Sequence, residues 1–207
     1  MYGKSVMGRD LEAWSAGKGS RTVVIIGGIH GDETNAVPVV ERLRSLAVPK
    51  KNQRLVFIEC ANPDGRANHT RMNQHGVDLN RNFDIDWSPE ARAPRYFPGH
   101  APLTEPESIG LMNLIKRLKP VRMMSIHTPL TCVNYDGPGC EELATEMSLA
   151  CGVPIKSDIG YPTPGSLGRW CVAKGIPLIT LELTPEWLND CWGRYRGALN
   201  AFLDYGG

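Results

Sequence analysis

"TVVIIGGIHGDE", residues 22–33, is the stretch on which the fold turns. Its first half is an unbroken run of β-branched and aliphatic residues, the pattern of a buried strand. Its second half sets Gly27, Gly28 and Gly31 around His30, Asp32 and Glu33. In open α/β sheets the carboxyl ends of the strands face the ligand crevice. A histidine and a carboxylate three positions apart, presented as the chain leaves such a strand, therefore point to chemistry, and the glycines let the backbone turn sharply enough for both side chains to face inward.

Working outward, further β-rich runs occur at Arg54 to Cys60, Arg122 to Ile126 and Pro177 to Leu183, with "KSV" and "DLEAWSA" as short leading strands. Between them the period changes to that of helices. Asn35 to Leu46 reads as one, with Pro38 tolerable in its first turn. Thr104 and Glu107 form the pattern of a capping box ahead of Ile109, Met112 and Ile115. "CEELATEMSLACG" is a third helix with Gly152 as its C-cap, and Cys191 to Leu203 a fourth. Strands alternating with helices predict a three-layer α/β/α sandwich around a mostly parallel mixed sheet, as one domain over residues 1–207. Ala61 to Leu103 carries almost no periodicity, and an aperiodic segment of that length in a compact domain is a functional one.

The totals exclude several classes. The 207 residues are 42% hydrophobic and 22% charged, which suits a globular domain and no disordered or fibrous one. A formal charge of +1 lacks the basic surplus of a nucleic-acid binder. No apolar stretch approaches the roughly 20 residues needed to cross a membrane, and "MYGKSVMGRDLEAW" lacks the layout of a secretory signal. Six scattered cysteines without a CxxC pair fit reduced thiols, and the expected compartment is the cytoplasm.

His30 follows the central strand, His127 follows "RMMSI" and Glu182 closes "PLITLE", so three ligands or proton carriers gather at one edge of the sheet. His30 and Glu33 can reach one metal while His127 arrives from another strand. Two histidines and one carboxylate form a catalytic zinc set, which leaves a fourth position for water and acidifies it towards about pH 7.

"GGIHGDE", "NPDG" (Asn62 to Gly65), "HTRMNQHGVDLNRNF" (His69 to Phe83), "SIHTP" (Ser125 to Pro129) and "LITLEL" (Leu178 to Leu183) occur in this order. Together they resemble the zinc carboxypeptidase family, over about Tyr2 to Leu183, which implies its phosphorylase/hydrolase-like sandwich and one Zn2+ per chain. By that resemblance His30, Glu33 and His127 are the zinc ligands, and Asp78 is the carboxylate that orients the first histidine. Arg71 polarises the scissile carbonyl, Asn80 and Arg81 grip the terminal carboxylate of the substrate, and Glu182 is the general base. "YPTPGSLGRW" resembles the family's mobile loop, with Tyr161 as a lid nine residues before Trp170. The resemblance also implies cis peptide bonds at Thr128–Pro129 and Thr184–Pro185, where proline lowers the cis penalty to below about 1 kcal/mol.

The short chain, "SIHTPL" and the loop most resemble the murein peptide amidase branch, which implies hydrolysis of the γ-D-glutamyl–meso-diaminopimelate bond in cell-wall recycling. The expected partner is then a small murein peptide, without nucleic acid or membrane. Gly168 leaves room in the specificity pocket and Arg169 offers charge to the distal carboxylate of diaminopimelate. One rival is an acylamino-acid deacylase of the succinylglutamate desuccinylase and aspartoacylase type, which shares an "HGDE" and a "DLNRNF". From a different class comes a zinc-dependent peptide-binding module without hydrolysis. Retention of Glu182 beside the ligands speaks against it, because a binder needs no base.

Overall fold

A computed structural model describes residues 1–185 and 188–206. In chain order the strands are β1 (Gly3–Lys4), β2 (Asp10–Leu11), β3 (Trp14–Ala16), β4 (Arg21–Ile26), β5 (Gln53–Ile58), β6 (Arg122–His127), β7 (Cys132–Asp136), β8 (Ile155–Lys156) and β9 (Leu178–Glu182). The α-helices are α1 (Ala36–Leu46), α2 (Pro63–Asn68), α3 (Pro106–Leu118), α4 (Glu141–Cys151), α5 (Leu167–Ala173) and α6 (Leu188–Asp204).

Strands β3 to β9 form one sheet in the order β3-β5-β4-β6-β9-β7-β8. The β5-β4-β6-β9 centre is parallel, whereas β3 and β7 run antiparallel to their neighbours β5 and β9. The α/β sandwich expected from the alternation is therefore the one observed. "RTVVII" is apolar without alternation because both faces of β4 are covered. Val23 and Ile25 pack with α1, α4 and α6 on one side. Val24 and Ile26 pack with α3 and α5 on the other. Register then fixes the site, since β6 and β9 pair His127 with Glu182 at their carboxyl ends.

Three local expectations are corrected. The capping box is not made. The Thr104 hydroxyl donates to Glu105 Oε1 (2.8 Å) and accepts from Asn82 Nδ2 (3.1 Å), while Glu107 accepts from Val6 N and Asn73 Nδ2. Tertiary donors thus outcompete the local cap, and α3 starts at Pro106 with Ile109 partly exposed. Ala61 to Leu103 is not aperiodic throughout, because it contains α2 and two 3₁₀ turns. Asn62 caps α2 by accepting from Gly65 N at 2.8 Å, with Pro63 at N1, so "NPDG" is itself a helix start. Finally, Thr128–Pro129 is cis, but Thr184–Pro185 does not share that geometry. The two isomers of an X-Pro bond differ by only about 0.5–1 kcal/mol, so packing decides between them.

The six cysteines form no disulfide, and no helix among the described residues is long and apolar enough to cross a membrane.

Candidate active site

The turn after β4 carries the first two candidate ligands, and its glycines act in two different ways. Gly28 has φ +61°, the left-handed conformation that a side chain disfavours. Gly31 is a close approach, because a Cβ there would lie 2.0 Å from the carbonyl carbon of Gly65. The turn thus presses directly on the start of α2, which Asn62 reinforces by donating to Ile29 O and Arg71 O.

His30, Glu33 and His127 converge in this packed corner, each no more than 6% exposed. Their ligating atoms lie within 4.8 Å of one another. His30 Nδ1 is 2.6 Å from Glu33 Oε1, His127 Nδ1 is 2.9 Å from Glu33 Oε2, and the two Nδ1 atoms are 3.2 Å apart. Each ring turns its other nitrogen to a partner. His30 Nε2 is 3.1 Å from Asp78 Oδ1 and His127 Nε2 is 2.9 Å from Ser125 Oγ. A ring whose Nε2 proton is held by Asp78 presents its Nδ1 lone pair inward, as a ligand must. Two imidazoles and a carboxylate facing one point are the donor set of a catalytic zinc site, so these residues fit that ion.

Burial disfavours charge on both Glu33 and Asp78, yet both carboxyls sit well below the usual carboxylate range. For Glu33 the two histidines outweigh burial; for Asp78, His30, Arg71 and Arg81 do. His30 is raised because Glu33 and Asp78 together overcome burial and Arg71.

Asp78 is fully buried and organises the neighbouring cations. Its Oδ2 accepts from Arg71 Nε (3.0 Å) and Nη2 (2.9 Å), and its Oδ1 from Asn80 N (2.9 Å). Arg71 Nη1 remains 3.9 Å from Glu33 Oε1, at the edge of the ligand group. Arg81 is only 6% exposed, and burial followed by Arg71 lowers its pKa against the pull of Asp78. It is therefore a buried cation short of counter-charge. Asn80 Oδ1 accepts from Leu167 N at 2.9 Å, which leaves its amide N–H groups as the free donors.

Glu182, at the end of β9, accepts from Leu130 N at 3.2 Å. Burial raises its pKa, His127 opposes and Glu33 adds to the rise. His30, Glu33, Arg71, Asn80, Arg81, His127 and Glu182 line one cavity of about 1030 Å³, whereas Asp78 and Ser125, which hold the two imidazoles from behind, do not. Tyr161 and Arg169 reach the same cavity. The Tyr161 ring lies 4.6 Å from the Arg92 guanidinium. Arg169 is half exposed, with Nη1 3.9 Å from Asp86 Oδ2.

Every site residue expected from sequence except Asp78 thus lines one cavity. The room expected beside Gly168 is filled, however: a Cβ there would come 2.6 Å from Asp136 Oδ2. Sequence reasoning missed Asp136, which lies on a strand it had not recognised. It also missed Ser125, although a residue two before His127 on a strand shares its face. Tyr96 was missed as well; its ring packs 4.9 Å from the Arg71 guanidinium carbon, and no spacing signal announces it.

The family model described as zinc carboxypeptidase matches residues 1–141. The chain belongs to the zinc carboxypeptidase family. Murein peptide amidase A of Escherichia coli (strain K12) is 35% identical to this zinc carboxypeptidase, over 98% of this chain and 88% of its own length. The crystal structure of the murein-tripeptide amidase from Escherichia coli O157 matches with a TM-score of 0.84 at 31% identity, covering 100% of this chain and 91% of that one. Carboxypeptidase A from Helicoverpa armigera has a TM-score of 0.81 at 18% identity, covering 99% and 68%, a likeness of fold. This zinc carboxypeptidase is accordingly a hydrolytic metalloenzyme whose family implies zinc, and the His30, Glu33 and His127 group is where the ion fits.

Proposed function

We propose that the enzyme removes the C-terminal residue of a short murein peptide by hydrolysing the γ-D-glutamyl–meso-diaminopimelate bond, in cytoplasmic recycling of cell-wall peptides. The observation that carries this reading is the similarity to murein peptide amidase A along nearly the whole chain, joined to a cavity lined by His30, Glu33, His127, Arg71, Asn80, Arg81 and Glu182.

His30, Glu33 and His127 would hold the zinc, which when bound acts as a Lewis acid and lowers the pKa of a coordinated water towards about 7. Arg81 and the Asn80 amide bind the terminal carboxylate. That assignment is supported by the incomplete compensation of buried Arg81, which a planar carboxylate relieves with charge-assisted bonds. Arg71 is held through Nε and Nη2 by Asp78, and so aims Nη1 at the reacting carbonyl, where it stabilises the developing oxyanion. Glu182 takes the proton of the attacking water and delivers it to the leaving amine. Its raised pKa brings it nearer to that of the group it serves. Tyr161 covers the bound peptide from the cavity wall, and Arg169 faces the distal carboxylate of diaminopimelate.

The test is mass spectrometry of products from γ-D-glutamyl-meso-diaminopimelate peptides, α-linked dipeptides and N-succinylglutamate, each with and without a chelator. Release of diaminopimelate, lost with chelator and restored by zinc, is the expected result. Deacylation of succinylglutamate with the murein peptide intact would overturn it in favour of the deacylase reading. Tight binding without any cleavage would favour the binding module.

A further inference from the structure

Asp136 is the last residue of β7, paired with Leu178 of β9, and lies on the same face as Asn134 and Thr180. Glu182 lies four positions beyond Leu178 along β9, on the order of 13 Å of strand. Asp136 therefore stands at the far end of the cavity from the general base, and it lines that cavity. The Asp136 carboxylate rests directly over Gly168, so any side chain at position 168 would displace it. Leu167, the preceding residue, donates its N–H to Asn80. The terminal-carboxylate pair and Asp136 thus flank the same first turn of α5.

The carboxylate has little to compensate it. Among the described residues no hydrogen bond and no ion pair within 4 Å reaches its oxygens, and Arg169 is drawn towards Asp86. Burial pushes the Asp136 carboxyl up in pKa, and Arg169 opposes this only in part. A half-buried anion without a hydrogen-bonding partner costs free energy that a cation from solution would return. The sequence nevertheless keeps the space open for it, with glycine at 168 and Gly137 turning the chain away at φ +84°.

We infer that Asp136 determines specificity by binding an ammonium group at the far end of the side chain of the released residue. The inference rests on the peptidase reading above and sharpens it. A residue held by its terminal carboxylate at Asn80 and Arg81 runs its side chain across the first turn of α5 and meets Asp136. Diaminopimelate and lysine carry an amine there. In diaminopimelate the neighbouring carboxylate falls to Arg169, so Asp136 and Arg169 together match a zwitterionic tip, which an apolar pocket would reject.

The experiment compares kcat/KM for γ-D-glutamyl peptides ending in meso-diaminopimelate, lysine and 2-aminopimelate, the last lacking only the distal amine. The enzymes are wild type, Asp136→Asn and Asp136→Ala, with circular dichroism and zinc content confirming that each variant is folded. Wild type is expected to favour diaminopimelate over aminopimelate by about 10–100-fold, the worth of one hydrogen-bonded charge pair. In both variants that ratio falls close to one, chiefly through KM. Equal use of the two peptides by wild type, or survival of the preference in folded variants, overturns the inference. If no γ-D-glutamyl peptide is cleaved, the murein reading fails separately. The ratio of α-linked peptides ending in lysine and norleucine then decides the role of Asp136 by the same criterion.

Discussion

Replacing Asp78 by asparagine keeps its volume and one acceptor oxygen, yet should damage both metal binding and folding. Oδ1 serves His30 Nε2 and Asn80 N, and Oδ2 serves Arg71 through Nε and Nη2. An amide can satisfy only one of these sides. With oxygen turned to His30, its NH2 faces two Arg71 donors, and two charge-assisted bonds worth about 1.5–3 kcal/mol each are lost. Removing one partner of a buried pair costs about 3–5 kcal/mol, and that is the destabilisation expected for the metal-free protein. The remaining neutral oxygen holds the His30 ring less firmly. Loss of such an outer partner lowers metal affinity about 10–100-fold, or about 1.4–2.8 kcal/mol at 1.4 kcal/mol per tenfold. Chelator competition measures the zinc affinity, and thermal denaturation of the metal-free protein measures the stability. Zinc affinity indistinguishable from wild type would refute the role assigned to Asp78, whatever the stability change.

Glu182→Gln should retain zinc at wild-type stoichiometry and lose about 10²–10⁴-fold in kcat, the usual contribution of a positioned general base; undiminished product formation would show that another group moves the proton. Asp64 supplies a test of acid stability. It is fully buried, accepts from Met7 N, Arg9 Nη1 and Ser5 Oγ, and these partners depress its pKa below 3.8 despite burial. A depressed folded pKa means that the contribution is complete above pH 3.8 and is lost as pH falls through the folded value. The stability gap between wild type and Asp64→Asn, measured by urea denaturation, should therefore narrow below pH 3.8; a constant gap would show that the Asp64 charge contributes nothing.

Much of the site was legible because its signals are local in sequence. His30 and Glu33 share one turn, and "GVDLNRN" places Asp78, Asn80 and Arg81 within four positions. Buried strands such as "TVVII" announce themselves by an unbroken apolar run. Strands β7 and β8 did not. "CVNYD" mixes polar and apolar residues because its polar face, Asn134 and Asp136, borders a cavity rather than a core. The failed capping box has a related cause, since Thr104 and Glu107 were claimed by Asn82, Asn73 and Val6 from distant segments.

By itself the sequence determined the central strands, four of the helices and the candidate ligand turn, because periodicity and turn chemistry act over a few neighbouring positions. Tertiary structure alone decided what fills the end of the cavity. The empty position at Gly168 is a property of one helix and the carboxylate that enters it comes from β7, thirty-two positions earlier in the chain. Their contact is set by sheet register and layer packing, which no local pattern encodes.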